Sequence, residues 1–131
     1  RCACWPVWMG QFKRIWYKTE QMRRFRAMAA AGRGRWFGSF LDGVLVGDLG
    51  IFCGGGLARY QSVETHPDHR RRGVCRTLVT KAARWIAAHH EGVEDFVMAA
   101  VPGERAIDIY RAAGFERVET QWAVEWWEGA A

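Results

Sequence analysis

The chain has 131 residues, which fits one domain, and half of them are hydrophobic while a quarter are charged. This balance, without any low-complexity block, excludes a disordered chain and predicts a single folded domain over residues 1–131. The net charge of +5 at pH 7 favours an anionic partner, but it does not separate nucleic acid from a phosphorylated cofactor.

The cysteines and the hydropathy pattern indicate in which cellular compartment the protein is expected. Its four cysteines are not spaced like paired zinc knuckles, and no apolar run reaches the roughly 20 residues that cross a bilayer. A chain of this size with a good core needs no disulfides, so we expect a soluble cytoplasmic protein with neither membrane partner nor metal. Because the first residue is Arg1 and not methionine, we also expect residues to be missing upstream.

Two helices are predicted in the first quarter of the chain. Residues 19–31 are rich in strong helix formers, with Thr19 as the candidate N-cap and Gly32 as the stop. Before them, apolar residues recur at intervals of three and four, which is typical of another amphipathic helix. These residues are Trp5, Trp8, Phe12, Ile15 and Trp16.

A meander of three strands is predicted next. From Trp36 onward two apolar runs flank Asp42-Gly43, and such a pair is the strongest short-range signal of a hairpin. Three glycines at 54–56 mark a second turn. Residues 57–65 then predict a third strand, which ends at His66-Pro67.

Helices and strands alternate in the rest of the chain. Residues 74–90 place apolar side chains on one helical face, so a helix is predicted there. Residues 95–101 are predicted to form a buried strand, and residues 104–113 a short helix stopped by Gly114. Residues 118–126 alternate between two faces, which predicts a long last strand.

The segment from Arg70 to Arg76 is the candidate anion site. A loop that leads into a helix brings free backbone N–H groups and the positive end of the helix dipole to one place, where phosphate oxygens bind. Gly73 allows the backbone to approach a ligand, and Arg71, Arg72 and Arg76 add positive charge. Local physics therefore predicts an anion site here.

Two motifs indicate which anion this is. The first is Arg70-Arg71-Arg72-Gly73-Val74-Cys75, which follows Thr65-His66-Pro67-Asp68-His69. The second runs from Ala106 to Phe115 and contains Tyr110 and the closing pair Gly114-Phe115. Both resemble motifs of the GNAT superfamily of N-acetyltransferases, and the resemblance covers roughly Trp36 to Trp126.

The sequence departs from the family pattern at three places. Cys75 stands where the family's coenzyme loop has glycine or alanine, and Gly103 replaces an asparagine that is often found near the pantetheine arm. The family's usual first strand is not recognisable before Trp36. The resemblance implies an α/β (α+β) fold with a mixed, mostly antiparallel central sheet flanked by helices, lacking that first strand.

The resemblance also implies an acetyl-CoA-dependent N-acyltransferase that transfers the acetyl group directly to an amine. The coenzyme pyrophosphate would lie on Arg70, Arg71, Arg72, Gly73, Val74, Cys75 and Arg76. Strand residues 61–65 would splay from residues 95–101, so that the pantetheine amides pair with the backbone of Val63 and Thr65. The amide near Val63 would also stabilise the oxyanion of the tetrahedral intermediate.

Catalysis further requires an acid for the departing thiolate and a base for the amine. The resemblance implies that Tyr110 is the acid. Many relatives carry a strand glutamate as the base, but the corresponding residue here is Arg59. The nearest carboxylate, Glu64, alternates to the side opposite Val63 unless a bulge turns it, and His66 is its rival.

Other functions and other site chemistries stay open at this point. The chain is alternatively a non-catalytic acyl-CoA sensor, or a basic nucleic-acid-binding or regulatory domain, although the arginine placement makes nucleic acid the weaker hypothesis. Adjacent His89 and His90 point about 100° apart on a helix, which disfavours a metal site. Trp126-Trp127 cannot both face one core, which leaves room for a homodimer through the last strand. The acceptor amine is not encoded in any motif.

Overall fold

A computed structural model of the chain describes residues 10–123, with side chains described for residues 17–123. The elements in chain order are helix α1 (Gly10–Ala30), strands β1 (Gly34–Leu41), β2 (Val44–Gly54) and β3 (Leu57–Thr65), a 3-10 turn (Pro67–His69), helix α2 (Val74–His89), strand β4 (Asp95–Val97) and helix α3 (Ala106–Ala112). The sheet order is β1-β2-β3-β4, with antiparallel pairing except between β3 and β4, which are parallel. The predicted mixed, mostly antiparallel sheet flanked by helices is confirmed.

Both predicted turns of the meander are confirmed, and each is a two-residue turn with positive φ at both positions. Asp42 and Gly43 have φ of 50° and 80°, and Gly55 and Gly56 have φ of 58° and 80°. Such turns match the right-handed twist of antiparallel strands, which is why the sequence signal was reliable here.

Helix α1 corrects the prediction of two separate helices before Gly32. The helix runs without a break from Gly10 to Ala30, so Thr19 lies inside it and does not cap its start. No glycine or proline interrupts residues 11–30, and a helix continues where nothing stops it. Trp5 and Trp8 lie outside the described residues.

The predicted stop at Gly32 is confirmed. Gly32 has a φ of 71° and its N–H bonds the carbonyl of Ala29 at 3.0 Å, while the N–H of Arg33 bonds the carbonyl of Met28 at 2.9 Å. These two bonds form a Schellman motif, which satisfies carbonyls at the helix end and turns the chain into β1.

Helices α1 and α2 cover opposite faces of the sheet. On the α2 face, the core packs Leu49, Ile51 and Tyr60 of the sheet against Leu78, Val79, Ala82 and Ile86. The Tyr60 hydroxyl donates to the carbonyl of Val79 at 2.7 Å. On the α1 face, the ring of Phe25 stacks on Phe52 at 5.3 Å and lies 5.4 Å from Trp36. Alternation along β2 therefore assigns Leu49 and Ile51 to one face and Phe52 to the other.

Two predicted strands differ from the structure. Strand β4 ends at Val97 and is largely exposed, so the buried strand predicted for residues 95–101 is too long. The last strand predicted for residues 118–126 is absent over residues 118–123, where Val118 and Trp122 are 90% and 94% exposed. Alternating sequence forms a strand only where a sheet edge pairs with it, and neither segment has such a partner among the described residues. Trp126 and Trp127 lie outside those residues.

Within the part of the chain that the structure describes, no helix combines the length and the apolar character needed to cross a membrane.

Burial of two core tyrosines predicts a loss of stability at alkaline pH. Burial raises the pKa of Tyr60 well above 10 and, as the largest of three causes, raises that of Tyr110 to about 12. An unfolded tyrosine ionises near pH 10, whereas the folded ones hold their protons. The stability that these groups contribute is therefore complete below about pH 10 and is lost as the pH rises towards 12.

Urea unfolding at a series of pH values checks this, with Y60F as the test variant. At neutral pH Y60F should lose about 1 kcal/mol with the hydrogen bond to Val79, and the exposed Y17F should lose much less. Above pH 10 the decline should be shallower in Y60F than in the wild type, because one of the two buried phenols is gone. An equally steep decline in Y60F contradicts the argument.

Candidate active site

The loop between β3 and α2 leaves three backbone N–H groups free at the start of the helix. Gly73 is the N-cap, with a left-handed φ of 78°, and no side chain caps the helix. The first internal bond runs from the N–H of Thr77 to the carbonyl of Gly73 at 2.9 Å. The N–H groups of Val74, Cys75 and Arg76 are therefore directed out of the helix end without an intrahelical partner.

Gly73 is needed for its backbone angle and not to avoid a contact within the protein. A Cβ at this position would meet nothing within 4 Å. An L-residue with this φ is strained, whereas glycine adopts it freely. The open space beside Gly73 is thus available to a ligand.

The arginines around the helix start differ in their roles. Arg71, Arg72 and Arg76 are exposed, and Arg71 itself has a positive φ of 61°. Arg70 instead donates from Nε to the carbonyl of Thr65 at 3.3 Å and so ties the loop to the end of β3. Three cations therefore surround the positive end of the α2 dipole, while a fourth has a structural contact.

His66 is a turn residue. Its Nδ1 accepts from the N–H of Asp68 at 3.2 Å, and its own N–H donates to the carbonyl of Val46 at 2.8 Å. These contacts cap the 3-10 turn and extend the β2–β3 ladder by one residue. The ring nitrogen that faces the turn is therefore already occupied, which weakens His66 as a candidate base.

Among residues 10–123, nothing pairs with the β4 side of β3 beyond Arg59, which leaves an edge of the strand open there. Its parallel pairing with β4 runs only from Leu57 to Arg59, and residues 98–100 form no strand. The parallel pairing therefore ends before residues 61–65, the part of β3 that was predicted to splay from its neighbour, and Val63 and Thr65 lie in this part. Backbone groups at such an edge pair readily with an extended ligand that carries amides.

Gly47 allows the start of α2 to pack closely on the sheet. A Cβ at Gly47 would lie 2.7 Å from Cγ1 of Val74, 3.1 Å from the carbonyl oxygen of Glu64 and 3.4 Å from Cδ1 of Leu78. Gly47 is also the partner of Thr65, the last residue of β3. The close approach of helix and sheet therefore places the free N–H groups of α2 directly at the carboxyl end of β3.

A β-bulge in β3 sets the direction of Glu64. Gly50 pairs with Gln61 and Asp48 with Glu64, so one residue of β2 lies opposite two of β3, and Ser62 has a φ of 48°. Directly paired residues share a face, so Gln61 and Glu64 both lie on the α1 face, and the bulge does not bring Glu64 to the side of Val63. The Glu64 side chain is 55% exposed and lies 3.9 Å from Nζ of Lys18.

Tyr110 is held at the end of α3 by the Gly-Phe pair that follows it. Gly114 has a φ of 99°, and the N–H groups of Gly114 and Phe115 bond the carbonyls of Arg111 and Tyr110, each at 3.0 Å. This Schellman motif folds the Phe115 ring back to 6.4 Å from the Tyr110 ring and 5.9 Å from Tyr60. The Gly114-Phe115 pair of the sequence motif therefore fixes the position of the Tyr110 ring.

The Tyr110 phenol is buried, with 8% of its surface exposed. Burial, then the neighbouring Cys75 thiol and the Glu104 carboxylate, raise its pKa to about 12. Burial also raises the pKa of Cys75, which keeps that residue in its unreactive thiol form. Tyr110 thus stays protonated at neutral pH beside the first turn of α2, and Cys75 fills space there.

The histidines at the end of α2 contact the helix itself. Nδ1 of His89 lies 2.8 Å from the carbonyl of Trp85, and the two rings stack at 4.6 Å. Over the described residues, no three potential metal ligands come together.

Asp48 is the polar residue of this region that sequence reasoning missed. Its Oδ2 accepts from the indole Nε1 of Trp36 at 2.9 Å, and its side chain is only partly exposed. It lies on the α1 face, directly across the ladder from Glu64. An acid within the otherwise apolar run VLVGDLGIF was the available signal, since such strand positions are seldom charged.

The sequence model of the Acetyltransferase (GNAT) family matches residues 4–115, which is most of the chain. The protein therefore belongs to the GNAT acetyltransferase family. A search of the curated proteins finds no match.

Solved structures with this fold include several acetyltransferases. The aminoglycoside acetyltransferase AAC(6')-Iy with the bisubstrate analogue CoA-S-monomethyl-acetylneamine has 20% identity and a TM-score of 0.62, over 79% of this chain and 74% of that one. A protein from Pyrococcus furiosus described as an acetyl transferase has 16% identity and a TM-score of 0.70, over 95% and 83%. The ribosomal-protein-alanine N-acetyltransferase from Brucella melitensis has 16% identity and a TM-score of 0.59, over 72% of each chain. These likenesses show the fold.

The contact between Gly47 and Val74 gives a test of how helix α2 packs on the sheet. G47A should destabilise the protein by about 1–3 kcal/mol, because the new methyl group overlaps Val74. V74A in the same chain should recover part of that loss by removing Cγ1, which makes the two changes non-additive. Urea unfolding of both single variants and the double variant measures this coupling.

G54A is the matched control, because Gly54 also lies in β2 but a Cβ there meets nothing within 4 Å. Its stability should stay close to that of the wild type. If G47A is as stable as G54A, the contact between Gly47 and Val74 does not determine how α2 packs on the sheet.

Proposed function

We propose that the protein is an acetyl-CoA-dependent N-acetyltransferase that transfers the acetyl group directly to an amine while both substrates are bound. One observation carries the proposal, which is that the free N–H groups at the start of α2 lie beside the unpaired edge of β3. A phosphate site and an amide-pairing edge at one place fit a ligand that carries a pyrophosphate followed by an amide-containing arm. Coenzyme A has both features, and membership of the GNAT family supports it.

In this proposal the coenzyme pyrophosphate binds the N–H groups of Val74, Cys75 and Arg76, with Gly73 leaving room for its approach. Arg71, Arg72 and Arg76 supply the positive charge, and Arg70 keeps the loop on β3. The pantetheine amides then pair with β3 at the level of Val63 and Thr65. The thioester carbonyl accordingly lies at the bulge, where the amide near Val63 stabilises the oxyanion.

The proposed reaction forms the bond from the amine nitrogen to the acetyl carbon and breaks the bond from that carbon to sulfur. Tyr110 protonates the departing thiolate. Its pKa of about 12 lies above the ordinary thiol value of about 8.5, so this transfer needs a thiolate made more basic by desolvation. The buried position of Tyr110 provides such an environment.

The amine approaches from the α1 face in this proposal. The carboxylate predicted from the sequence to take its proton, Glu64, lies on that face at the exposed rim and beside Lys18. An exposed carboxylate attracts a cationic amine from solvent, and the ion pair with Lys18 at 3.9 Å is weak enough to exchange. The acceptor class is a compound or polypeptide with a free amine. Aminoglycosides belong in the test panel, because AAC(6')-Iy is an aminoglycoside acetyltransferase.

One observation favours a second function, a non-catalytic acyl-CoA sensor. Arg59, which stands where many relatives carry a glutamate base, cannot accept a proton. A nucleic-acid-binding domain has less support, because Arg23 and Arg24 bond Glu20 on α1, across the sheet from the start of α2. Those arginines do not extend the positive surface of residues 70–72.

Calorimetric titration with acetyl-CoA tests the coenzyme site, with G73A and G43A as a matched pair. Gly73 and Gly43 have φ of 78° and 80°, and a Cβ at either meets nothing within 4 Å. Both variants should lose about 1–2 kcal/mol of stability through backbone strain. Only G73A should weaken acetyl-CoA binding, by about tenfold or 1.4 kcal/mol, because its methyl group occupies the approach of the pyrophosphate.

An absence of acetyl-CoA binding to the wild type would overturn the proposed function. Equal weakening in G73A and G43A would remove the loop from the coenzyme site. If the protein binds DNA with an affinity that falls steeply as salt is added, and does not bind acetyl-CoA, the nucleic-acid hypothesis is favoured.

Y110F tests the acid. Loss of the hydroxyl should lower kcat by about 100-fold with little change in acetyl-CoA affinity, because the proton donor acts only as the C–S bond breaks. Thiol release against a panel of spermidine, neamine and a peptide with a free α-amine measures kcat. Y60F, which removes the other buried phenol, is the control and should keep wild-type kcat.

Coenzyme binding without turnover of any amine in the panel would favour the sensor. Turnover that is equal in Y110F and the wild type would exclude Tyr110 as the acid.

A further inference from the structure

We propose that Asp48 is the catalytic base, the carboxylate that contacts the acceptor amine and takes its proton. This inference rests on the proposed acetyl transfer and adds the residue that the reaction still lacks. It begins from the α1 face of β2 and β3. Along β3 that face carries Arg59, Gln61 and Glu64, and along β2 it carries their partners Phe52, Gly50 and Asp48.

Only two of these six residues have a side chain that accepts a proton at neutral pH. Arg59 is a cation and Gln61 a neutral amide, while Phe52 is covered by Phe25. The bulge at Ser62 keeps the two carboxylates, Asp48 and Glu64, directly opposite each other, which corresponds to about 5 Å between their Cβ atoms. The choice of base therefore lies between Asp48 and Glu64.

The surroundings of Asp48 favour it over Glu64. The Glu64 side chain is 55% exposed and is paired with Lys18, so its position is loosely fixed. Asp48 is partly buried, and the indole of Trp36 donates to its Oδ2 at 2.9 Å. A catalytic group needs a fixed position, and a hydrogen bond from a packed aromatic residue provides it.

The position of the Trp36 ring depends in turn on a glycine in β2. The Trp36 ring packs closely against Gly50, since a Cβ there would be 2.6 Å from two ring carbons. Gly50 is also the ladder partner of Trp36 and is separated from Asp48 by one residue, so the indole N–H reaches Asp48 along the strand. With Oδ2 bound to the indole, Oδ1 is left for a ligand.

The position of Asp48 relative to the coenzyme loop fits a base. Its neighbour Gly47 lies under Val74 on the α2 face, at the carboxyl end of β3. Asp48 is next in the chain and projects to the opposite face, beside the bulge in β3. The coenzyme therefore comes to the bulge from one side and a carboxylate from the other, as attack on a thioester carbonyl requires.

The proton balance of the step is complete. The amine, which enters as a cation, first releases one proton to solvent. As its neutral nitrogen bonds the acetyl carbon it becomes positively charged, and a second proton passes to Oδ1 of Asp48. Collapse of the intermediate breaks the C–S bond, and Tyr110 gives its proton to the thiolate. The products are the acetylated amine and the free thiol, and the two residues exchange protons with solvent before the next cycle.

D48N is the test, with E64Q and D48E as matched variants. Asparagine keeps the volume and the oxygen that accepts from Trp36, so the urea midpoint of D48N should stay at the wild-type value. Its kcat should fall by about 100-fold or more while the KM for acetyl-CoA is unchanged. D48E should restore part of the rate. D42N, which removes an exposed turn carboxylate away from the site, is the control and should keep wild-type kcat. E64Q should raise the KM for the amine but lower kcat less than D48N does.

The outcomes separate this inference from the proposed function. If the wild type binds no acetyl-CoA in calorimetry, the proposed function fails and the role of Asp48 fails with it. If the wild type acetylates spermidine, neamine or the peptide and D48N does so at the same rate, only the assignment of Asp48 is overturned. A larger loss in E64Q than in D48N transfers the role to Glu64.

A spectroscopic readout does not depend on turnover. The ¹H–¹⁵N signal of the Trp36 indole, identified by its absence in W36F, reports directly on Oδ2 of Asp48. In the coenzyme A complex, addition of spermidine or neamine should shift this signal in the wild type and in E64Q, but not in D48N. An unmoved signal in the wild type at saturating amine overturns the contact between Asp48 and the acceptor.

Discussion

Strand β3 is paired with β2 from Leu57 to Thr65, but with β4 for only three residues, and the rest of the candidate site is arranged around the gap that results. The connection from β3 through α2 to the parallel β4 forces α2 to start at the carboxyl end of β3. The free N–H groups of the helix and the opening of the sheet consequently occur at the same end. A single β-α-β unit thus brings an anion site and an unpaired strand edge together.

Close packing converts this topology into a defined geometry. Helix α2 approaches the sheet at Gly47, where no side chain intervenes, and the Tyr60 hydroxyl binds the helix backbone at Val79. A helix fixed at both places holds its free N–H groups in one orientation before any ligand arrives. Preorganised donors bind an anion without further ordering cost, which favours both affinity and selectivity. The core around α2 is in this sense part of the site.

The features that the sequence predicted correctly are those that local backbone physics determines. The Asp42-Gly43 hairpin and the stop at Gly32 both depend on φ values that few residues adopt. Gly114-Phe115 belongs with them, because a Schellman motif needs a glycine and then an apolar residue that packs back on the helix. In each case the residue type itself carries the structural information.

The features that the sequence did not predict depend on distant partners. Residues 98–101 are apolar enough for a strand, yet the pairing with β3 ends at Val97 and leaves them without a ladder among the described residues. The bulge at Ser62 has no signature in the sequence, since serine is an ordinary strand residue. Asp48 was missed for the same reason, because its contact with Trp36 and its place opposite Glu64 follow from the registers of two strand pairs.

The distribution of charge between the two faces bears on whether the domain catalyses or only binds. A sensor needs the cations at the start of α2 and the edge of β3, but it has no use for an acid on the other face. A partly buried carboxylate is costly unless its environment compensates, and one indole N–H satisfies only one of its two oxygens. The hydrogen bond from Trp36 needs only an acceptor, which an amide oxygen would also supply, whereas the second oxygen of a carboxylate beside the bulge is what the proposed acetyl transfer uses.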